Sequence, residues 1–413
     1  MLNSHFIKEI LIKKVRHHEN VSIPICSESP KHLIITGKNG SGKTSLLEGI
    51  KSFLTIFENY SLQQLSDWRE YLLQNQQRLQ QVDGTYDTIQ IKRDIEHFTS
   101  QINNYCRQVE LSLNNSNEIA SLFQEGKFLI SYFNASRLAS MLTPSGIQKI
   151  HIETRYPIER AVGDVFVQYL VDLKARSTFA KEAGHMDIYN EIENWFSYLE
   201  INLRHIFENE HLQLVFDYSN YNFVIEEPGK EPYTLNSLSS GFSSILAIVT
   251  DLIVKMENNR TTSYDLEGIA IIDEIETHLH ISLQKKILKF LTDFFPNIQF
   301  IVSTHSPFVI NSIENAVVYD LQHGVFHEDF SNYSYRAIVE EFLGVDQYSY
   351  IIKEKLNEYE ELVNNYTSLN AEEKLKLEKL STDLDKSPDL YSDELKLKKA
   401  YIDLQSILSG DKK

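Results

Sequence analysis

Eight consecutive residues, Gly37-Lys38-Asn39-Gly40-Ser41-Gly42-Lys43-Thr44, combine three glycines with two lysines and two hydroxyl side chains. They fit the phosphate-binding pattern G-x-x-x-x-G-K-[ST]. Glycine lets successive backbone N–H groups turn inward around a phosphate with no Cβ in the way. A helix starting here adds the partial positive charge of its N-terminus. Lys43 is suited to neutralise β- and γ-phosphates and the Thr44 hydroxyl to hold Mg²⁺. Ser45 is counted with the loop as nucleotide-binding. The competing reading is a glycine-rich turn that binds nothing. The buried strand before the loop and the apolar helix after it argue against that reading.

Three further groups follow along the chain. Leu238-Ser239-Ser240-Gly241 opens an apolar helix. Alone it is an N-cap, but the same geometry makes an anion site. Gly268-Ile269-Ala270-Ile271-Ile272-Asp273-Glu274 is an apolar run ending in two carboxylates. Asp273 is placed to bind Mg²⁺, directly or through water, and Glu274 to polarise an attacking water. Phe300 to Pro307 is another apolar run, ending in a polar turn with His305. A lone histidine is more often a satisfied core or surface residue. Here its place at a strand end lets an imidazole reach the γ-phosphate or the attacking water.

These residues need a scaffold that brings strand ends together. Residues 5–35 read as strands, with Phe6, Ile10 and Ile12 at strand spacing, then Asn20 to Ile25 and Leu33-Ile34-Ile35. A helix runs from Lys43 to about Phe57. Gly126 to Phe133 reads as a return strand, ending in Asn134-Ala135-Ser136-Arg137. Helices are expected at about 160–182 and 186–208, and strands at about 211–217 and 221–227. A helix follows at 242–258, a strand at 268–273, an amphipathic helix at 280–294 and a strand at 298–303. Alternating helices and unbroken apolar strands mark a parallel sheet covered on both faces. Such a sheet delivers its last residues to a site at its carboxyl edge.

From about Tyr60 to Phe123 the pattern becomes heptad-like and rich in Gln and Asn. Leu65, Trp68, Leu72, Asn75, Leu79 and Val82 step by three and four, as do Ile91, Ile95, Phe98, Ile102, Tyr105 and Val109. With a turn at Val82-Asp83-Gly84-Thr85, this predicts a helical, coiled-coil-like hairpin with arms about 30–40 Å long. It is either a satellite packed on the core or a protruding arm for docking. Asn75 would fix the register of a true coiled coil. After about 351 the chain is charged and helical, from Lys353 to Leu380 and from Ser392 to Leu408. The expected domains are 1–57, the head's first part; 58–125, the hairpin; 126–345, the rest of the head; and 346–413, a helical tail.

The chain has 413 residues and a formal net charge of −18. That charge disfavours a general nucleic-acid coat, which draws on clustered Lys and Arg. Cys26 and Cys106 match no metal-ligand spacing, and two free thiols point to a reducing cytoplasm. The first twenty residues do not read as a signal peptide, and no apolar run reaches membrane-spanning length.

In this order the four groups resemble the heads of ATP-binding-cassette ATPases. The resemblance implies an α/β, two-lobed P-loop ATPase head with ATP and Mg²⁺ as cofactors. It also implies that the Ser-x-Gly signature of one subunit closes over the γ-phosphate held by another. Ser239 and Gly241 match that signature. The chain reads LSSGF where the family has LSGGQ, a change that spares the Ser239 contact but not fast, transporter-like turnover. Asp273-Glu274-Ile275-Glu276-Thr277-His278-Leu279-His280 is similar to the DEPExHLH element of the soluble SMC/RecF/OLD-like group, with Ile275 for Pro. Ser303-Thr304-His305-Ser306-Pro307 is similar to its switch. Lys14-Val15-Arg16-His17-His18 resembles the turn that touches adenine or phosphates there, a role that falls to Arg16. The family's glutamine loop maps nearest to Ser136-Arg137. Arg137 either faces the nucleotide or the partner subunit, or makes an ordinary ion pair. His278 and His280 lie at i, i+2, off a common helix face. That spacing argues for subunit-interface contacts over metal binding.

OLD-family nucleases add a TOPRIM domain, whose Asp-x-Asp sits at a strand end. Here Asp383-Leu384-Asp385 lies in a helical stretch, so no nuclease domain is expected in this chain. A head with a short hairpin and no nuclease looks like the ATPase subunits of anti-phage systems such as Septu and PARIS. Leu343 to Ser349 closes the head much as in those. The resemblance implies an ATP-dependent homodimer or larger homo-oligomer. It would sense a phage-derived trigger and control a separate nuclease or toxin, with no membrane partner. A RecF/SMC-like DNA-repair ATPase and a slow-turnover scaffold remain the alternatives.

Overall fold

The computed structural model describes residues 5–81, 85–257, 266–328, 330, 332–339, 350–385, 399–402 and 404. The expected turn at Val82–Gly84, the stretch Leu343–Ser349 and most of the helix at 392–408 lie outside them. The chain divides into two compact units, Met1–Tyr335 and Arg336–Lys413.

The first unit opens with β1 (Ile7–Val15), β2 (His18–Pro24) and β3 (His32–Thr36). Helices α1 (Lys43–Leu54), α2 (Ile56–Asn59), α3 (Leu62–Leu79) and α4 (Thr85–Cys106) follow. Next come β4 (Val109–Leu113), α5 (Ser116–Gln124), β5 (Phe128–Phe133), α6 (Phe166–Glu182) and α7 (Met186–Phe207). Strands β6 (Gln213–Asp217), β7 (Asn222–Glu226) and β8 (Tyr233–Thr234) precede α8 (Ser240–Met256) and β9 (Glu267–Ile272). The unit ends with α9 (Ile281–Gln284), α10 (Ile287–Phe294), β10 (Ile298–Ser303), α11 (Pro307–Ile310), β11 (Ala316–Asp320) and β12 (Val325–Glu328).

A six-stranded sheet in the order β12-β11-β3-β10-β9-β5 is its centre, parallel except for β12. Every residue of β10 and β11 is buried, as are the last five of β9. Helices and loops therefore cover both faces, as unbroken apolar strands require. A second sheet, β2-β1-β4, shares one apolar core with α1 and one face of the first. A third, β6-β7-β8, is antiparallel.

The hairpin consists of α3 and α4. Ser61 starts α3 through a capping box with Gln64. The base of the hairpin belongs to the main core: Leu65 is buried there, with Trp68, Ile102 and Tyr105 against it. Farther out, Tyr71, Leu73 and Ile89 are exposed. Two seam expectations fail. Val109 is not helical but starts β4, which pairs with β1. The pull is long-range: Val109 is fully buried, and Glu110 binds Lys13 of β1 and Arg69 of α3. Asn75 donates to the Tyr71 carbonyl of its own helix, a local bond that fixes no register between arms.

The expected helix over 280–294 is two, α9 and α10. The single helix over Lys353–Leu380 is also two, α13 (Tyr350–Asn364) and α14 (Ala371–Asp385), after the short turn α12 (Tyr335–Ala337). Asn370 makes the second break, because its side chain accepts the Glu372 and Glu373 N–H groups and caps a new helix. Leu356, Tyr359, Val363, Leu377 and Leu380 form this unit's own core. Asp383 lies in α14 and pairs with Lys355.

Candidate functional site

The loop from Gly37 to Gly42 joins β3 to α1 at the carboxyl edge of the central sheet. Gly37, Gly40 and Gly42 all have positive φ, at 137°, 85° and 109°. That backbone is one glycine adopts without strain, and it is what curls the loop into a cradle. The Ser41 hydroxyl is buried there with no partner. Lys43, itself buried, folds back to the carbonyls of Gly37 at 2.9 Å and Lys38 at 3.3 Å. Burial pulls its ammonium below the ordinary lysine value, while Glu274, Glu276, Asp273 and Asp320 pull the other way.

Parallel pairing sets β9 and β10 side by side and brings their ends to this loop. The Thr44 hydroxyl donates to Asp273 Oδ2 at 2.9 Å, and the Ser303 hydroxyl donates to Asp273 Oδ1 at 2.6 Å. Ser303 Oγ in turn accepts the Glu274 N–H at 2.7 Å. Glu276 holds the next turn, accepting from the His305 N–H at 2.5 Å and the Thr304 hydroxyl at 2.7 Å. His305 is half-buried, and its pKa is lowered by burial first and by Lys43 next. Its ring is therefore neutral at pH 7 and can both donate and accept.

Arg16 caps the loop from the β1–β2 turn. Its Nε donates to Ser45 Oγ at 3.1 Å and its guanidinium to the Gly40 carbonyl at 3.2 Å. A Cβ on Gly42 would lie 3.4 Å from the Arg16 side chain. His18 Nε2 lies 3.0 Å from the Ser41 carbonyl.

Arg137 is buried, and among the described residues no carboxylate side chain is hydrogen-bonded to it. It is 7% exposed and donates to the carbonyls of Asn134, Asp273, Glu274 and Ile275. Within the chain these bonds go to backbone carbonyls and not to a carboxylate side chain, so an ordinary ion pair does not describe them.

Ser239 and Gly241 form a separate group at the start of α8. Ser239 is the N-cap, with no side-chain capping bond. Gly241 packs on the turn after β9, where a Cβ would lie 2.9 Å from the His278 carbonyl. Among the described residues no hydrogen bond joins either to the glycine loop. His280 caps α9, accepting from the Ser282 N–H. No cluster of three or more metal-binding side chains occurs among the described residues.

Two residues of this site lay inside quoted motifs without a role: Ser303, which bridges Asp273 and Glu274, and Glu276, which pins the His305 turn. The signal for Ser303 was the parallel register that puts the ends of β9 and β10 together. For Glu276 no sequence signal separates it from a surface carboxylate.

The residues fit a nucleoside triphosphate with Mg²⁺. The cradle offers glycines of positive φ, an unpartnered buried hydroxyl and a lysine. Thr44 and Asp273 present two hard oxygens 2.9 Å apart, and Mg²⁺ in such sites takes one or two protein oxygens plus phosphate.

Known proteins resemble the chain at several levels. A crystal structure of an Smc head bound to the C-winged helix domain of ScpA matches 78% of this chain and 96% of its own, with 13% identity and a TM-score of 0.38. The Septu protein PtuA of Bacillus mycoides is 25% identical over 315 residues, 75% of this chain and 39% of PtuA. A retron Vc95 probable ATPase of Vibrio cholerae is 24% identical over 352 residues, 68% of this chain and 66% of its own. The chain thus spans less than two thirds of either relative. No helix among the described residues is long and apolar enough to cross a membrane. Residues 33–311, well over half the chain, match the family described as "AAA domain, putative AbiEii toxin, Type IV TA system", and with its P-loop in place the chain belongs to that P-loop ATPase family.

Proposed function

We propose that the chain binds Mg-ATP and hydrolyses it to ADP and phosphate in a site completed by a second copy. The observation that carries this is the linked set Thr44–Asp273–Ser303–Glu274 at the mouth of the glycine cradle. Lys43 and the loop N–H groups hold the phosphates. Thr44 and Asp273 hold Mg²⁺, which neutralises charge on the phosphate oxygens. Glu274 takes up or polarises the proton of the attacking water. Neutral His305 donates to the γ-phosphate or orients that water. Arg16 covers the loop against the nucleotide.

Ser239 and Gly241 act on a neighbour's nucleotide. An N-cap without a capping bond leaves the first N–H groups of α8 for an anion. Nucleotide then joins subunits head to tail, and hydrolysis parts them. We further infer that this cycle controls a separate effector, a nuclease or toxin, in antiviral defence within the cytoplasm. The similarity to a Septu protein and a retron ATPase supports this.

The test is ATP turnover by the purified chain, with Lys43→Ala and Glu274→Gln beside it. Turnover that Lys43→Ala abolishes, and nucleotide-dependent dimers that Glu274→Gln traps, support the reading. A wild type without turnover leaves an ATP-held scaffold instead. ATP-dependent, salt-sensitive DNA binding with no co-purifying effector favours a DNA-repair role.

A further inference from the structure

We propose that Arg137 is a positioning residue for hydrolysis: its guanidinium holds the Glu274 turn in the one backbone conformation that presents the carboxylate to the phosphate site. The inference rests on the hydrolysis reading above and deepens it.

Glu274 has φ +44°, in the left-handed region that non-glycine residues avoid. Such a residue persists only where its surroundings over-determine it, and such sites cluster where geometry serves function. Every backbone polar group around it is accounted for. The Asp273 N–H goes to the Phe133 carbonyl, the Glu274 N–H to Ser303 Oγ and the Ile275 N–H to the Ser303 carbonyl. The three carbonyls of Asp273, Glu274 and Ile275 all turn toward Arg137, at 2.7, 3.2 and 3.0 Å. A left-handed residue curls successive carbonyls to one side, as at a helix C-terminus. One planar fork can meet all three, and a lysine ammonium cannot with the same geometry.

Arg137 is an expensive way to satisfy these carbonyls, one of which, that of Glu274, also accepts the Thr277 N–H at 2.9 Å. Burial lowers its pKa to about 10, and among the described residues no carboxylate side chain is hydrogen-bonded to it. A buried cation with no ion-pair partner is not a stabilising device in itself. Its Nε is buried with no partner at all. The charge is tolerated because Glu276, Asp273 and Glu274 stand nearby. Position, then, accounts for an arginine at 137 better than stability does.

The experiment measures kcat and KM for ATP in wild type, Arg137→Ala, Arg137→Lys and Glu274→Gln, with the Arg137→Ala/Glu274→Gln pair completing a cycle. Melting temperatures run alongside. Arg137→Ala should lower kcat at least ~30-fold with KM within about threefold. Arg137→Lys should restore the melting temperature but less than about a tenth of kcat, because charge without the fork does not hold the turn. In the Glu274→Gln background, single-turnover rates should change less than about threefold on removing Arg137, since both act through one group. If Arg137→Lys recovers kcat in step with stability, or if the two losses multiply, Arg137 is structural and the proposal is overturned. A wild type with no turnover overturns the hydrolysis reading, whereas normal turnover in a folded Arg137→Ala overturns this inference alone.

Discussion

Single residues at the cradle set the chemistry, and their electrostatics set its pH range. Lys43→Ala removes the ammonium that faces Glu274, Glu276 and Asp273. It should weaken ATP binding by a hundredfold or more, on the order of 3 kcal/mol, as measured by titration with a fluorescent nucleotide. His305 has its pKa lowered from 6.5, so the neutral ring persists throughout neutral pH. Activity that needs the neutral ring should have its acid limb below the ordinary histidine value of 6.5, and His305→Gln should remove that limb. Half-buried His32 behaves similarly for stability. Its Nδ1 accepts the Phe300 N–H, and burial lowers its pKa to about 4. The unfolded chain therefore takes up the proton first. Stability from this group is full above pH 6.5 and lost as pH falls toward 4, which chemical denaturation at pH 7 and 5 would reveal. The glycine loop and the Asp273-Glu274 pair were legible in the sequence, because a strand, a spacing and a residue type agree. Arg137 was not. Its bonds depend on the left-handed backbone at Glu274, and no one-dimensional pattern announces that conformation at a glutamate.

At the scale of elements, the alternating strands β1, β2, β6 and β7 and the unbroken apolar β9 and β10 are legible in the sequence. β9 and β10 were read nearly to the residue. β4, β11 and β12 were not, because runs of four or five residues such as Ala316-Val317-Val318-Tyr319-Asp320 owe their conformation to neighbours distant in sequence. Val109 shows the same override, leaving a heptad seam for a strand beside β1. Packing between elements yields two predictions. A Cβ on Gly268 would lie 2.4 Å from the Leu129 carbonyl of β5 and 2.8 Å from Ile298 of β10. Gly268→Ala should therefore cost about 2–3 kcal/mol by urea denaturation. In the hairpin, Leu65→Ala should cost about 2–4 kcal/mol and Leu73→Ala almost nothing. Leu65 is 3% exposed and Leu73 55%, so the two truncations remove very different amounts of packing.

For the whole molecule, the separation of Ser239 and Gly241 from the glycine loop matters most. If the two groups meet only across subunits, Ser239→Arg should bind ATP like wild type yet neither dimerise on size exclusion nor turn over. An equimolar mix of Ser239→Arg and Lys43→Ala should regain activity, since each supplies the half the other lacks. Full turnover by Ser239→Arg alone would refute a shared site.

The order of the central sheet has a consequence for how the protein is made. β3, which leads into the cradle, pairs with β10 on one side and β11 on the other, both about 270–280 residues downstream. A nascent chain emerging from the ribosome holds its glycine loop early but cannot seat it until nearly the whole first unit has been translated. During that interval Leu33, Ile34 and Ile35 have no strand on either edge, an invitation to chaperones or to aggregation. Synthesis halted before β10 should therefore yield a product with the entire nucleotide motif and no affinity for nucleotide.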